Sequence, residues 1–208
     1  MPGAMEFAQP LREEDVDPDP LRQFDTWFKH AASTGVRAPE AMAVATASAD
    51  GAPSVRIALL KQYDALGFVF YTNYESRKAQ ELAANPRAAL LFYWDPLGRQ
   101  VRIEGPVQRT SREASATYVH SRPRGSQLSA MASRQSRPVA SREALESAVA
   151  ELAARYEGAP LPVPDDWGGF VVFPESFEFW QHREDRLHDR LLYARQPDGG
   201  WRLERLAP

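Results

Sequence analysis

The sequence predicts a mainly β (α+β) protein built on an antiparallel sheet. Many short β-type segments follow one another with turn residues between them, and few helices interrupt them. This spacing favours an antiparallel barrel over a parallel sheet with crossover helices. A chain of 208 residues can form one well-buried core. We therefore expect a single domain over residues 21–208, preceded by a mobile arm over residues 1–20, in which prolines alternate with acidic residues.

The elements are predicted from local patterns in chain order. Apolar residues at helical spacing predict a first helix over residues 21–33. Alternating or apolar runs bounded by turns then predict the strands 42–49, 53–61, 67–73, 88–94 and 99–108. Further helices are expected over 112–120 and 142–157, and the final strands around 168–173, 177–181, 189–196 and 201–206.

Composition excludes several classes of protein. No apolar run approaches the roughly 18 residues that a membrane span needs, and no secretory leader is recognisable, so we expect a cytoplasmic protein without a membrane partner. Cysteine is absent, which excludes disulfides, thiolate metal sites and cysteine nucleophiles. The net charge is −3, and the weak basic excess after residue 25 does not favour a nucleic-acid partner.

One helix start breaks a local rule. In the segment YTNYESRKAQELAANP, Thr72 and Glu75 resemble a capping box and Pro86 ends the helix, so Arg77 and Lys78 fall in the first turn. Cations there oppose the helix dipole, at about 0.3–1 kcal/mol each. Either both cations are solvated surface charges, or a bound anion compensates for their unfavourable interaction with the helix dipole.

Other donors accompany this helix start. Arg56 and Lys61 stand at the two ends of an apolar strand, where residue parity points them to opposite faces. A second donor cluster, Tyr118, Arg122 and Ser126, recurs every four residues. Pro123 and Gly125 are expected to end the helix, so that a loop presents the last donor. A phenol, a guanidinium and a hydroxyl without a nearby acid suit a phosphate, although a plain helix C-terminus also attracts cations.

The C-terminal segment WQHREDRLHDR is crowded with ionisable groups. For Arg183, Glu184 and Asp185, solvated ion pairs on the surface explain the charges as well as a functional role does. A metal site at His182, His188 and Asp189 is not favoured, because the spacing of the two histidines matches no common zinc pattern. A Ser-His-Asp hydrolase is not favoured either, because the sequence lacks the Gly-x-Ser-x-Gly segment that such an enzyme would need. Gly168 and Gly169 are expected to permit close backbone packing beside Trp167.

Seven ordered motifs together resemble one family. RIALLK, YTNYESRKAQEL, RQVRIEG, HSRPRGSQ, SRQS, WGGF and FEFWQ…RLHDR occur in the order and at the separations found in pyridoxine (pyridoxamine) 5′-phosphate oxidases, from about residue 11 to residue 208. The resemblance implies an antiparallel Greek-key FMN-binding split barrel with flanking helices. It also implies a homodimer with FMN at the interface. The expected activity is oxidation of pyridoxamine or pyridoxine 5′-phosphate to pyridoxal 5′-phosphate by O2, releasing H2O2.

The resemblance also assigns roles to individual residues. Arg186 and His188 are the expected catalytic residues beside the pyridine ring, where His188 would exchange protons near neutral pH and Arg186 would orient the ring. The expected cofactor-binding residues are Arg56, Ile57, Lys61, Tyr71, Thr72, Arg77, Lys78, Gln100, Gln135, Ser136, Trp180 and Arg190. The expected substrate-binding residues are Lys61, Tyr118, Arg122, Ser126, Arg186, Leu187 and His188, and no metal ligand is expected.

The chain departs from the family pattern in two places. Family members typically carry an Arg-x-x-Tyr segment near the start, which MPGAMEFAQP lacks, and they often have glycine where this chain has His182 and Arg183. Two rivals are weighed against the oxidase: a phenazine-biosynthesis-type flavin oxidase on the same fold, and a non-catalytic FMN- or pyridoxal-phosphate-binding protein. Four phosphate donors argue against the first, and the intact RLHDR segment argues against the second.

Overall fold

A computed structural model describes residues 9–208 of the protein. Five helices flank the sheet within this range: α1 Pro20–Ser33, α2 Arg77–Ala84, α3 Arg112–Ser121, α4 Arg124–Ala132 and α5 Arg142–Arg155. The first four strands are β1 Ala41–Ala47, β2 Pro53–Leu59, β3 Gln62–Asp64 and β4 Gly67–Asn73. They are followed by β5 Arg87–Trp94, β6 Arg99–Arg109, β7 Trp167–Val172, β8 Ser176–Gln181, β9 Asp189–Arg195 and β10 Trp201–Arg205.

The strands form one antiparallel sheet that curls on itself. Its main path runs β10-β9-β8-β6-β5-β1-β2, and β7 joins β6 to β4, which also pairs with β3. The long strand β6 changes partner along its length, because residues 99–104 pair with β8 and residues 107–109 pair with β7. This arrangement confirms the predicted antiparallel fold.

The core lies inside the curl and is closed by α1. Asp19 caps that helix by accepting a hydrogen bond from the Leu21 amide, and Pro20 occupies its first position. Phe24 is fully buried at the centre of an aromatic cluster, with its ring centroid 4.9 Å from Phe68 and 5.1 Å from Phe92. Edge-to-face contacts of this kind add to the stabilisation from apolar burial.

Three local predictions were wrong or incomplete. Thr72 lies in β4, and the N-cap of α2 is Ser76 instead. The helix α3 ends before Pro123 as expected, but no loop presents Ser126, because Pro123 occupies the N-cap of α4 and Gly125 lies within that helix. A proline at a helix N-terminus costs no hydrogen bond, since the first amides have no helical partner. The short strand β3 was not predicted.

The predicted mobile arm lies partly outside the described residues, which begin at residue 9. Its described part packs against the sheet: Leu11 is buried, and its amide donates to Asp189 Oδ2 at 3.1 Å. Arg205 donates to the Leu11 carbonyl and to Glu13, both at 2.8 Å. Residues 11–13 therefore belong to the packed domain, because these bonds join them to β9 and β10.

No helix within residues 9–208 is both long enough and apolar enough to cross a membrane.

Candidate active site

A cavity of about 420 Å³ opens between β2, β4 and the helices α3 and α4. It collects nine of the residues expected to bind cofactor or substrate. These are Ile57, Lys61, Tyr71, Thr72, Lys78, Tyr118, Arg122, Ser126 and Gln135. The cavity is thus built from segments that are far apart in sequence, and α4 presents Ser126 from its first turn.

Arg122 lines this cavity, and one of its side-chain nitrogens has no partner among the described residues. Its Nη1 is buried and makes no hydrogen bond within residues 9–208. The guanidinium carbon lies 5.0 Å from the centroid of the Trp167 ring, a cation–π contact that holds the side chain in place. A buried donor without an acceptor is costly, so this geometry suits a ligand that brings an anionic oxygen.

Stacked aromatic rings form one wall of the cavity. Tyr71 and Tyr118 lie 3.8 Å apart between centroids with nearly parallel planes, and the Trp167 ring lies 5.8 Å from each. Burial raises the pKa of the Tyr118 hydroxyl, so it stays protonated and can donate. Beside this wall, a Cβ on Gly169 would lie 2.8 Å from a Tyr71 ring atom, which confirms the expected close packing at the two glycines.

Lys78 is a buried cation at the start of α2. Its Nζ donates to Thr72 Oγ1 at 3.0 Å and to Gln135 Oε1 at 2.7 Å, which are both neutral acceptors. Burial, followed by the positive charge of Arg56, lowers the pKa of Lys78 to about 8. The site therefore holds a positive charge that a bound anion would stabilise.

A carboxylate that sequence analysis did not identify organises the two neighbouring arginines. Glu81 is buried, and its Oε1 accepts from Arg77 Nε at 2.8 Å while its Oε2 lies 3.4 Å from Arg56 Nη2. Thr46 and Ser54 also donate to it. Burial raises the pKa of Glu81, but the hydrogen bonds from Ser54, Thr46 and Arg77 and the charge of Arg56 outweigh this and lower it to about 2.

The loop that carries Gln135 has a strained backbone at the next residue. Ser136 has φ 69°, in the left-handed region that non-glycine residues rarely occupy. Such conformations persist where surrounding structure enforces them, often at binding sites. Ser136 follows a side chain that bonds to both Thr72 and Lys78, so the strain lies at the rim of the cavity.

The remaining predicted residues form a second group on β6, β8 and β9. Gln100 is directly opposite Trp180 in the β6–β8 pair, and Trp180 is directly opposite Arg190 in the β8–β9 pair. The loop between β8 and β9 adds Arg186, Leu187 and His188, and the His188 ring lies 4.7 Å from the Trp180 ring. The described residues that line the cavity include none of this second group.

A second unpredicted carboxylate, Glu178, holds Arg190. It is buried on β8, and its Oε1 accepts from Arg190 Nε at 2.9 Å, while Arg102 donates to its other oxygen. Arg190 also donates to the Ala207 carbonyl at 2.8 Å. The sequence signal for Glu178 was a charged residue inside an otherwise apolar strand, and for Glu81 it was the four-residue spacing from Arg77.

Within the described range of 9–208, no three histidine or carboxylate side chains come together in a group that could hold a metal ion.

Comparison with known proteins gives two family matches that together span most of the chain. Residues 28–156 match the family described as pyridoxamine 5′-phosphate oxidase. Residues 167–208 match the pyridoxine 5′-phosphate oxidase C-terminal dimerisation region, which includes every member of the second group except Gln100.

Individual relatives agree with these matches. A pyridoxine/pyridoxamine 5′-phosphate oxidase of Rubrobacter xylanophilus is 60% identical over 95% of this chain and 91% of its own length. The protein of the same name from Streptomyces avermitilis is 52% identical with the same coverage.

Solved structures resemble the fold as a whole. PhzG from Burkholderia lata, in complex with tetrahydrophenazine-1-carboxylic acid, has a TM-score of 0.91 at 33% identity, covering 97% of this chain and 99% of that one. A pyridoxamine 5′-phosphate oxidase-related, FMN-binding protein from Nostoc punctiforme has a TM-score of 0.74 at 18% identity, covering 93% and 100%. At that lower identity the likeness concerns the fold alone.

Proposed function

The chain belongs to the pyridoxamine 5′-phosphate oxidase family, and on that basis we propose that it oxidises pyridoxamine or pyridoxine 5′-phosphate to pyridoxal 5′-phosphate. FMN is the proposed flavin, and O2 is the proposed acceptor, reduced to H2O2. The observation that carries the substrate assignment is the buried, unpartnered Nη1 of Arg122 in a cavity that also contains Lys61, Tyr118 and Ser126.

The substrate phosphate is proposed to bind at these four side chains. Together they offer two cations and two hydroxyl donors, and none of the described residues that line the cavity is a carboxylate. Charge-assisted hydrogen bonds from such donors are roughly twice as strong as neutral ones. Trp167 supports the assignment because its ring holds the Arg122 guanidinium against rotation.

The flavin phosphate is proposed to bind at the start of α2. Lys78 is a buried cation among neutral acceptors, the helix N-terminus adds its free amides, and the Ser76 hydroxyl makes no capping bond there. Arg56 and Arg77 adjoin this place, and Gln135 and Ser136 would assist from their loop. These donors fit a phosphate monoester, and Ile57, Tyr71 and Thr72 would line the ring system, which supports FMN.

A homodimer is proposed to complete the site. The sheet face that bears exposed Ile57 is continuous, through the cross-strand pairs, with the face that bears Gln100, Trp180 and Arg190. The cavity and the second group thus lie on the same surface of the chain, but the second group does not line the cavity. A second copy packed on that surface would supply Gln100, Trp180, Arg186, Leu187, His188 and Arg190 to its partner's cavity, with FMN at the interface.

The chain's own residues bind and orient the two ligands. Bound FMN would accept a hydride from the 4′ carbon of the substrate and return the electrons to O2. The phosphate donors anchor the substrate at one end, and the Arg186 guanidinium would orient the pyridine ring and favour the anionic form of its 3-hydroxyl. His188 would contact the ring near the reacting carbon. Positioning of this kind lowers the entropic part of the barrier.

A phenazine-type oxidation is the second candidate, because the Burkholderia lata structure has the same fold and binds a phenazine carboxylic acid. That ligand carries no phosphate, so it gives no reason for the donor set around Arg122. The curated relatives at 50–60% identity also favour the pyridoxine phosphate reaction.

The test is a peroxide assay on the purified, flavin-loaded protein. We expect turnover of pyridoxamine 5′-phosphate and poor turnover of unphosphorylated pyridoxamine at equal concentration. Equal turnover of the two amines would contradict the substrate-phosphate site, and absence of turnover with both would contradict the function.

The cytoplasmic location stays a prediction.

A further inference from the structure

The loop between β8 and β9 bends back so that its two ends are bonded to each other. Asp185 and Arg186 are both left-handed, with φ 54° and 61°, which reverses the chain between Arg183 and His188. The Arg183 backbone amide then donates to His188 Nδ1 at 3.1 Å. The two left-handed residues thus form a tight turn, which the hydrogen bond from the Arg183 amide to the imidazole closes.

This bond determines where the imidazole carries its proton. A backbone amide can only donate, so Nδ1 must present a lone pair, and a neutral ring then carries its hydrogen on Nε2. An imidazolium would have hydrogens on both nitrogens and would oppose the amide. Among residues 9–208, Nε2 has no hydrogen-bond partner, so it is the nitrogen that can meet a ligand.

A second imidazole stands beside the first. The His182 and His188 ring centroids are 5.1 Å apart, and the Trp180 ring lies 6.1 Å from His182 and 4.7 Å from His188. His182 is fixed by its own backbone, since its amide donates to the Gly98 carbonyl at 2.8 Å. A Cβ on Gly98 would lie 2.8 Å from the His182 Cβ, so this approach requires glycine there.

The charged groups around the pair favour a neutral His188. Arg183 and Arg186 are cations on the same loop, which also carries the exposed carboxylates Glu184 and Asp185. The carboxylate next to His188, Asp189, is bonded to Arg205 at 2.8 Å and lies 3.7 Å from Arg183. Burial lowers the pKa of His188, and the charges of His182 and Arg186 lower it further. Geometry and charge thus act in the same direction.

We propose that His182 is a positioning residue for His188. His182 and the Arg183 amide together hold the neutral His188 ring with its proton on Nε2, so that His188 meets the substrate as a hydrogen-bond donor. The contact with the substrate rests on the proposed function, whereas the protonation state of the ring does not. A ring in this state cannot accept a proton at Nε2, so its role is to hold an oxygen or nitrogen of the substrate, in place of the proton exchange expected from the sequence.

The test is long-range 1H–15N NMR of the flavin-loaded protein, which separates the two nitrogens of each of the four histidines. At pH 7.5 we expect His188 to show a protonated Nε2 and an unprotonated Nδ1. The titration midpoint of His188 should be lower than the ordinary histidine value of about 6.5. A protonated Nδ1 at this pH, in either the neutral or the charged ring, would overturn the proposal.

Two matched variants isolate the contribution of His182. H182Q removes the second imidazole, and the midpoint of His188 and the acidic limb of the kcat/KM profile should both move to higher pH. H120Q makes the same substitution at a remote exposed position and should move neither. An unchanged His188 midpoint in H182Q would refute the role of His182, and H182N serves if H182Q does not fold. Because NMR needs no substrate, failure of the oxidase assay leaves this test intact.

Discussion

Arg56 Nη2 and Glu81 Oε2 lie 3.4 Å apart at the place where a phosphate is proposed to bind. A carboxylate among phosphate-binding cations reduces their total charge, so Glu81 must contribute to phosphate binding in another way. Glu81 also accepts from Arg77, Thr46 and Ser54, and it therefore fixes both guanidinium groups before any ligand arrives. Preorganised donors lose less entropy when they bind.

Replacing this carboxylate by its amide should destabilise the protein. We expect E81Q to lower the free energy of unfolding by about 1–3 kcal/mol at pH 7, because buried donors lose their charged acceptor. The pKa of Glu81 is about 2 in the folded protein against an ordinary value of 4.5, so this stabilisation is complete above 4.5 and is lost as the pH falls toward 2. Urea denaturation of both proteins at several pH values measures the difference.

The matched control is E146Q, which removes an exposed carboxylate paired with Arg142 on α5. Exposed pairs contribute little, so E146Q should change the free energy of unfolding by no more than about 0.5 kcal/mol. An E81Q variant as stable as E146Q would show that the Glu81 network is not stabilising.

Flavin binding should weaken at alkaline pH because of Lys78. Its pKa in the ligand-free protein is about 8, and a bound phosphate would raise it, so binding takes up a proton once the free lysine is neutral. The Kd for FMN should therefore rise above pH 8, by at most about tenfold per pH unit. Titration of flavin fluorescence across pH 7–10 measures this slope.

K78M provides the comparison for this pH dependence. It should bind FMN more weakly at every pH and should show no rise of Kd near pH 8. A wild-type Kd that is constant from pH 7 to 10 would mean that Lys78 does not contact the flavin phosphate.

Arg122 should control the affinity for the phosphorylated substrate. R122Q replaces the buried unpartnered donor by a neutral group, and hydrogen bonds to charged groups contribute about 1.5–3 kcal/mol. We therefore expect the KM for pyridoxamine 5′-phosphate to rise about tenfold to a hundredfold while flavin content is retained. Steady-state peroxide assays and the visible spectrum measure the two effects.

R155Q is a suitable control, since Arg155 is exposed at the end of α5, away from the residues that line the cavity. Its KM should equal that of the wild type. A similar rise of KM in R155Q and R122Q would indicate a general effect of lost charge and would remove the support for a substrate-phosphate site at Arg122.

The proposed dimer can be tested by complementation of two inactive variants. R122Q weakens substrate binding in the cavity and R186L disables the second group, so each homodimer should have little activity at a substrate concentration well below the wild-type KM. If one site combines the cavity of one chain with the loop of its partner, a mixed dimer has one intact site. Co-expressed variants should then regain about a quarter of the wild-type activity, since about half of the dimers are mixed.

Failure to regain activity would show that both groups act within the same chain, provided that mixed dimers are present. Distinct affinity tags on the two variants establish this, because material purified through both tags consists of mixed dimers. A matched mixture of R122Q with a second cavity variant, such as K61Q, should stay inactive.

Much of the fold followed from period-two alternation and turn residues, because those patterns report which face of each strand is buried. Elements that depend on one or two residues were harder to predict. Strand β3 has three residues and shows no period, and α4 begins where Pro123 and Gly125 usually end a helix. Ser76 replaced Thr72 as the cap of α2 because β4 extends through residue 73.

The candidate site shows the same division. Donors such as Arg122 and Lys78 could be predicted because their chemistry matches a phosphate, and the structure brings both into one cavity. Glu81 and Glu178 were not predicted, because each of them also pairs with an arginine that is far away in sequence: Arg56 for Glu81 and Arg102 for Glu178. Likewise, no sequence pattern indicates that the Arg183 amide faces His188, because that contact depends on two left-handed residues between them.

Strand β2 ends the main path of the sheet, and its outward side chains Val55 and Ile57 are 68% and 69% exposed, with Leu59 beside them. Under the proposed dimer this ridge is covered only while two copies stay together, and association follows mass action. Very dilute enzyme should therefore first lose its yellow colour as FMN escapes. The separated subunits would then expose this apolar strand edge to water, and added FMN should delay both the dissociation and the loss of colour.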